Sequence, residues 1–547
     1  MSVVRQRSRG FFGTRKAVIV TTHAKKERAY FARFLKQDNH SSMYKAIEAN
    51  APMWISALVL LFIAARFFYS LTYPDHLGVD AGAYLLGVNE LLGKGATNAS
   101  FTRLPLGAGY TLLPFTSVFG VVVGFKLWSA IFAVIPLLPA LYLLFCRVVS
   151  KPWAIAAAFV AVGGWLSQEM YVTGALPLVG FGYTALIMWG VWGIAEESQH
   201  TRYAIAIGWK KKLYAFRYEI TIALSLGLLA FTNHTAVGIA AIILPIWTLA
   251  LTIRHPYRIF EMAWPVGMGI GLAMFAYPYY PQVGVGSDMY RYEGPLLFIR
   301  PTVLDMGWYV AIAGFATSYF AFKKKWYPYA AVLAFLSFWA PFYSFDETIV
   351  NLTYRGRFLA AALMPVVWAD LVRERLSTFP YRAQVINLSL IAVLVVVGSV
   401  LVDDAQRRYS TFVTPQVESV LDVVKNHPDE GAILSSNFGE GTFYQALTGR
   451  EVYYTFAHKP PKAFTQSEAD VRCIFNWVQN CNVDEAIERL DARFVVVNRK
   501  WPADWGQIYM APADGKNPVL LWTPLDEAPW LIPLAENELV KAWLIQS

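Results

Sequence analysis

The ionisable side chains that could do chemistry lie in a few short stretches, each beside a long apolar run. Asp80 stands in HLGVDAGAYLLGVNELLGKG, between one apolar run and an amphipathic stretch from Ala83 to Leu92. A carboxylate there is near water and near lipid head groups, and can act as general base on an acceptor hydroxyl. Asp80 also stands where a helix beginning near Ala81 needs its N-cap, a position that favours Asp. Both readings stay open from the pattern alone. Arg355 and Arg357 open another apolar run, in NLTYRGRFLAAALMPVVWADL. A guanidinium stays charged and pairs bidentately with phosphate, and an interfacial arginine also snorkels to head groups. Glu169, in WLSQEMYVTG, and His234, in FTNHTAVG, interrupt further apolar runs. Glu169 is either a ligand for a metal or acceptor, or a solvated loop residue. A polar residue at such a turn is a functional hypothesis by default, with a hydrogen-bonded loop histidine as the plain reading of His234. Asp288, Arg291 and Glu293 either order a loop over a phosphate or pair with one another.

The elements that must position these residues are membrane-spanning helices. Of 547 residues, 56% are hydrophobic and only 16% charged, against about a quarter charged in a soluble domain. Lipid is therefore the main solvent. A span needs about 20 mostly apolar residues. Such runs lie near 51–71, 122–146, 152–167, 175–195, 217–232, 235–253, 262–280, 303–322, 326–343, 357–372 and 384–402, which predicts about eleven spans. The formal charge of +9 does not point to nucleic acid, because no binding module is present and the basic residues cluster between the apolar runs. With the N-terminus cytoplasmic, Arg147 and Lys151, Lys210 to Lys212, Arg254 and Arg258, Lys323 to Lys325, and Arg373 and Arg375 all fall on the inner side. Alternate loops thus obey the positive-inside rule, and eleven crossings put the C-terminus outside.

Three regions follow. Residues 1–50 form a basic cytoplasmic arm without a cleavable signal; its segment 23–37 is either an amphipathic helix on the anionic leaflet or a solvated arm. Residues 51–404 form the transmembrane domain, with outer loops 72–121, 281–302 and 344–356, the first carrying a Pro/Gly-rich segment from Leu104 to Pro114. No internal repeat is visible, which weighs against transporters built from duplicated halves. Residues 405–547 read as a soluble α/β domain. The runs GAILSSN, REVYYTF, ARFVVVNR and NPVLLWTP have the look of strands, and 415–426 and 483–490 that of helices. Of the three cysteines, Cys146 is a small apolar filler. Cys473 and Cys481 suit a disulfide if this domain lies outside the cytoplasm, and are free thiols otherwise.

The stretch around Asp80 resembles the first outer loop of the C-type glycosyltransferase superfamily, which uses sugars carried on a polyprenyl phosphate. The family pattern of Asp, Tyr, apolar helix, Gly, an Arg and Pro-Leu segment and Phe-Gly is matched by Asp80, Tyr84, Gly93 or Gly95, Arg103, Pro105, Leu106, Phe119 and Gly120. Ala81 stands where the O-mannosyltransferase-like branch often has Glu, so Asp80 is the only acid at the motif; Asp75 matches nothing in it. The stretch from Asn351 to Leu371 is similar to a late-helix Arg-Tyr-x-Leu-Pro pattern of the same superfamily, through Arg357, Phe358 and Pro365. WLSQEMYVTGALPLVGFGYTALIMWG resembles its second outer loop. The segment from Val420, with its Thr448-Gly449-Arg450 turn, and the ending LIPLAENELVKAWLI are similar to extracytoplasmic domains of such transferases.

The resemblance implies an inverting glycosyltransferase. Its donor is a polyprenyl-phosphate sugar entering from the outer leaflet, and its acceptor a hydroxyl on a cell-envelope glycan, lipid or protein. It implies Asp80 as the base, Arg357 on the donor phosphate with Arg355 and Arg291 beside it, and Tyr84, Arg103, Glu169 and His234 along the substrates. Oligosaccharyltransferases of the superfamily use a divalent cation and several monosaccharide transferases do not. A cation, Mg²⁺ or Mn²⁺, is therefore open, with Asp80 and Glu169 as half a set of hard oxygen ligands; no other cofactor is expected. The membrane would be a bacterial inner or plasma membrane. The rival readings are a transporter or flippase for a lipid-linked or anionic solute and a non-catalytic membrane scaffold. A transporter needs polar or broken spans at the midplane, whereas the ionisable residues here gather at one face. A scaffold has no need of Asp80 or Arg357.

Overall fold

The structure is a computed structural model. It describes residues 47–71, 81–93, 107–163, 176–197, 208–232, 234–253, 255–275, 297–298, 306–340, 342–343, 347–376, 415–435, 438–453, 466–475, 482–498 and 525–546.

Apolar stretches with few breakers become helices here. After α1 (Ala51–Leu71) come two shorter helices, α2 (Ala81–Leu91) and α3 (Gly107–Phe119). The bundle continues with α4 (Val121–Val134) and α5 (Leu137–Phe145), separated by Ile135 and Pro136, and then α6 (Lys151–Gly163) and α7 (Leu176–Glu196). A short α8 (Trp209–Ala215) precedes α9 (Arg217–Thr232), α10 (His234–Thr252) and α11 (Ile259–Met274). The last bundle helices described are α12 (Met306–Lys323), α13 (Tyr327–Trp339) and α14 (Glu347–Leu376). The runs predicted as spans from 51 to 372 each overlap one of these helices or, for 122–146, the pair α4–α5, with α11 starting three residues before its run and α14 extending past its run at both ends; the run 384–402 lies outside the described residues.

Among the described residues three stretches, Ala51–Phe68, Val121–Phe145 and Leu178–Glu196, are long and apolar enough to cross a membrane, and five shorter apolar helices accompany them. The solvent-facing side of the bundle is also apolar: Leu60, Phe260 and Ile312 are each more than half exposed. Large apolar side chains on an outer surface suit lipid.

Two stretches depart from expectation. The Leu104 to Pro114 segment is helical from Gly107 on, with Pro114 inside the helix. Its glycines serve close packing. A Cβ on Gly107 would collide with the Phe231 carbonyl at the end of α9, and one on Gly109 would come within 3.1 Å of the Gly87 backbone in α2. Residues from Glu347, expected in an outer loop, already belong to α14, because no Gly or Pro interrupts ETIVNLTYR. At 30 residues this helix is about 45 Å long, longer than the roughly 30 Å hydrocarbon core.

The C-terminal part is α/β. Strands β3 (Ala432–Ser435), β4 (Val452–Tyr453), β5 (Ala492–Asn498), β6 (Leu531–Glu536) and β7 (Val540–Ile545) form one sheet in the order β4-β3-β5-β7-β6. β3 runs parallel to β4 and β5, while β7 is antiparallel to β5 and β6. Helices α15 (Pro415–Lys425), α16 (Phe438–Thr448), α17 (Gln466–Ile474) and α18 (Val483–Leu490) surround it. The helices expected at 415–426 and 483–490 are α15 and α18, and β3, β4 and β5 lie in three of the four runs expected as strands; NPVLLWTP lies outside the described residues. α16 ends on Gly449 at φ +75°, the left-handed cap that a helix end favours, with the Gly449 N–H donating to Gln445 O at 2.9 Å. This is the expected Thr448-Gly449-Arg450 turn.

Cys473 is disulfide-bonded and Cys146 is free. Cys481, the third cysteine of the chain, lies outside the described residues and is the one cysteine left within the chain to pair with Cys473. Alkylation of the unreduced, denatured protein is expected to modify one thiol per chain, at Cys146, and all three after reduction. Three modified thiols before reduction would contradict the bridge.

Candidate functional site

Basic residues organise the two ends of the helical bundle differently. At one end Arg147, after α5, pairs with Glu196 at 3.1 Å, and Arg217 pairs with Glu197 at 2.6 Å. Arg258 donates to the carbonyls of Ile194 and Ala195 at the end of α7. Lys324 and Arg373 share Asp370. An aromatic chain through Trp192, Tyr329 and Trp326 joins these groups. Members of four of the five basic clusters expected on one side thus sit at one end.

The opposite end carries the candidate site. α1 ends there at Leu71, and α2 begins at Ala81, directly after Asp80. Asp80 itself lies outside the described residues, as do Arg103, Glu169, Asp288, Arg291 and Glu293. His234 is the first residue of α10, at this same end, and Arg355 lies in the third turn of α14. Tyr84 is buried in α2. Its ring stacks near Phe125 at 6.2 Å and meets Trp128 at 5.8 Å, both in α4. That ring holds α2 against α4.

Arg357 is the best-defined member of the expected set. It is 5% exposed, and its Nε donates to Ala340 O at 2.8 Å. Ala340 is the C-cap of α13. A helix ends with unpaired carbonyls and a partial negative charge, so a guanidinium is well placed there. Two residues on, β2 (Phe342–Tyr343) pairs antiparallel with β1 (Leu297–Phe298). The stretch after α13 and residues 297–298 therefore meet two residues beyond the carbonyl that holds Arg357.

Two buried cations join this end that the sequence expectations leave out. Lys126 in α4 donates to Ser70 O, in the last turn of α1, at 2.8 Å. Arg66, one turn earlier on α1, donates to Val162 O at the end of α6 at 3.3 Å. Like Arg357, each holds the carbonyl end of a helix that finishes on this face. The signal was a basic residue inside an apolar run, which marks a functional position by default. α6 packs against both α1 and α14, so the helices bearing Arg66 and Arg357 flank it.

At the C-terminal sheet an open hollow of about 360 Å³ is lined by Glu430, Arg450, Glu451, Arg489 and Asp491 among others. Its cations are engaged. Arg450 donates to the carbonyls of Asp429 and His427, and Arg489 makes a two-pronged contact to Asp470. Burial and the neighbouring Glu451 push the Tyr453 hydroxyl up to about 12.

No known family model matches the chain, and no curated protein matches it in sequence. Solved structures match it in shape. The oligosaccharyltransferase of Archaeoglobus fulgidus in its apo form is 13% identical, with a TM-score of 0.55 over 86% of this chain and 72% of its own. That protein has also been solved with an inhibitory peptide and a dolichol-phosphate, and with Zn and sulfate. ArnT from Cupriavidus metallidurans bound to undecaprenyl phosphate is 10% identical, with a TM-score of 0.51 over 89% of this chain and 97% of its own. The mycobacterial arabinofuranosyltransferase AftD is 12% identical, with a TM-score of 0.53 over 90% of this chain and 42% of its own. At such identities the fold is what is shared.

Proposed function

We propose that this chain, which has the fold of the C-type membrane glycosyltransferases, transfers a sugar from a polyprenyl-phosphate carrier to an acceptor hydroxyl of a cell-envelope glycan, lipid or protein. The observation that carries the reading is Arg357, buried and anchored at the bundle end where α2 begins directly after Asp80. Two proteins of this fold have been solved with a polyprenyl phosphate bound, which supports a lipid-linked donor. The bundle end with Asp80 and Arg357 is the outer one, because the other end gathers the Lys and Arg residues that favour the cytoplasm. The disulfide at Cys473 fits a C-terminal domain in an oxidising compartment, and the run 384–402 completes eleven spans.

The chemistry follows from charge. Asp80 accepts the proton of the acceptor hydroxyl as that oxygen attacks the anomeric carbon from the face opposite the phosphate. The bond from the anomeric carbon to the phosphate oxygen breaks, the configuration inverts, and the leaving polyprenyl phosphate gains negative charge. Arg357 stabilises that charge, with Arg355 and Arg291 beside it. Arg103, Glu169 and His234 line the substrates. Among the described residues no group of three or more His, Cys, Asp or Glu stands ready to hold a metal; Asp80 and Glu169 lie outside them. Chelation decides that point: lost transfer restored by Mg²⁺ or Mn²⁺ assigns a cation to the site.

The direct test is a structure with undecaprenyl phosphate added. Its phosphate is expected at hydrogen-bonding distance from the Arg357 guanidinium, on the side of the membrane that carries the C-terminal domain. A phosphate bound at the Arg147 end of the bundle would overturn the assignment.

A further inference from the structure

We infer that the C-terminal domain is a working part of the catalytic loop, and that Asn89 is the positioning residue through which it acts; this rests on the reading of Asp80 as the base.

α2 and α16 are both 11 residues long and pack against one another. Asn89, near the end of α2, donates through Nδ2 to Ala446 O, near the end of α16, at 2.9 Å and across 357 positions of sequence. The bond has a clear physical cause. The last four carbonyls of a helix have no partner within it. In α16 the Gln445 carbonyl is met by the Gly449 N–H, and the Ala446 carbonyl by the Asn89 amide. A side chain of α2 thus caps a helix of the C-terminal domain. Around the bond, Tyr84, Leu85 and Val88 of α2 and Phe443 and Tyr444 of α16 belong to one continuous buried cluster. α16 rests on β3 and β4 with another face, so the sheet stands behind the contact.

α2 needs such support. A helix of this length is marginal alone in water, and its order comes from what packs on it. Tyr84 ties it to α4, the Gly87–Gly109 approach ties it to α3, and Asn89 ties it to the C-terminal domain. Asp80 immediately precedes the helix, so any tilt of α2 moves the carboxylate. A displacement of about 1 Å at a reacting group can lower a rate about a hundredfold. Arg357, on α14, is anchored through α13 instead. Loosening Asn89 is therefore expected to slow transfer while leaving donor binding alone.

The test compares full-length wild type, Asn89→Leu and Asn89→Gln in nanodiscs. Asn89→Leu keeps the size and removes the donor; Asn89→Gln keeps an amide. Three quantities are read: hydrogen exchange of residues 81–91, binding of undecaprenyl phosphate alone, and transfer, scored by mass spectrometry of envelope glycans from cells carrying only the variant. Asn89→Leu is expected to speed exchange in α2 at least about fivefold and to lower transfer about tenfold, with lipid binding within about twofold of wild type. Asn89→Gln is expected to recover part of both losses. Unchanged exchange in α2, or equal loss of lipid binding and transfer, overturns the inference. If Asn89→Leu does not fold, Asn89→Ser is judged by the same measurements. Faster exchange with unchanged transfer also overturns the inference, because Asn89 then orders α2 without serving transfer; the role of Asp80 is tested separately by Asp80→Asn.

Discussion

Asp80→Asn is expected to transfer sugar at no more than about one hundredth of the wild-type rate while keeping its fold. The substitution separates the two roles the sequence leaves open. Asn is as good an N-cap as Asp, so a residue whose only work is to start α2 at Ala81 loses nothing by the change. A general base loses everything it contributes, because a carboxamide cannot accept the proton. General-base catalysis is worth about two to four orders of magnitude in rate, and Asp80 is the only acid at the loop motif. The thermal midpoint of Asp80→Asn is expected to match wild type, whereas Asp80→Ala loses cap and base together and melts lower. Wild-type transfer by purified Asp80→Asn would remove Asp80 from the mechanism and return it to the cap.

The fold was legible where one solvent dominated the local choice. Apolar runs of span length became helices with edges close to those expected, α1 and α9 within the predicted bounds. Period-two runs such as ARFVVVNR became strands. Legibility failed where tertiary contact overrode local propensity. Gly107 and Gly109 read as loop residues because glycine weakens a helix; their lack of a side chain instead lets α3 touch α9 and α2. FGEGTFYQALT, with two glycines, carries little helical signal, yet α16 forms because Phe443 and Tyr444 are buried. Strand β7 pairs with β6 on one side and with β5 on the other, partners that no local pattern announces.

The candidate site was legible in part, and for a chemical reason. Asp80 and Arg357 stand out as charges at the edges of apolar runs. Arg66 and Lys126 sit inside such runs, where a single charge is easily read as tolerated. Only the fold reveals that each donates to the carbonyl end of a neighbouring helix, as Arg357 does. Arg66, Lys126 and Arg357 thus share one device, a cation held where helix dipoles turn negative, at the face where an anionic substrate is proposed to bind.

Arg357→Ala is expected to lower transfer at least about a hundredfold, and the pattern among three variants tells why. The Arg357 Nε is committed to Ala340 O, which fixes the plane of the guanidinium. Removing a preorganised donor from a developing negative charge costs about 2.7–4 kcal/mol, a factor of about a hundred or more. Arg357→Ala also opens a void at a buried position and leaves the end of α13 without its cation, so part of its loss will be stability. Arg357→Met narrows that ambiguity, since it fills the volume and opens no void, although the Ala340 carbonyl is left unmet in both variants. It is expected to melt above Arg357→Ala, to bind undecaprenyl phosphate at least about tenfold more weakly than wild type, and to transfer as poorly as Arg357→Ala. Arg357→Lys keeps the charge and loses the planar fork, and should fall between Met and wild type in both assays. A purely structural arginine predicts another pattern, with the loss of transfer following the loss of melting temperature through all three variants and lipid binding by the folded protein unchanged. Undiminished lipid binding and transfer in Arg357→Met would make Arg357 a strut for α13, and the donor phosphate would have to be held by other cations of that face.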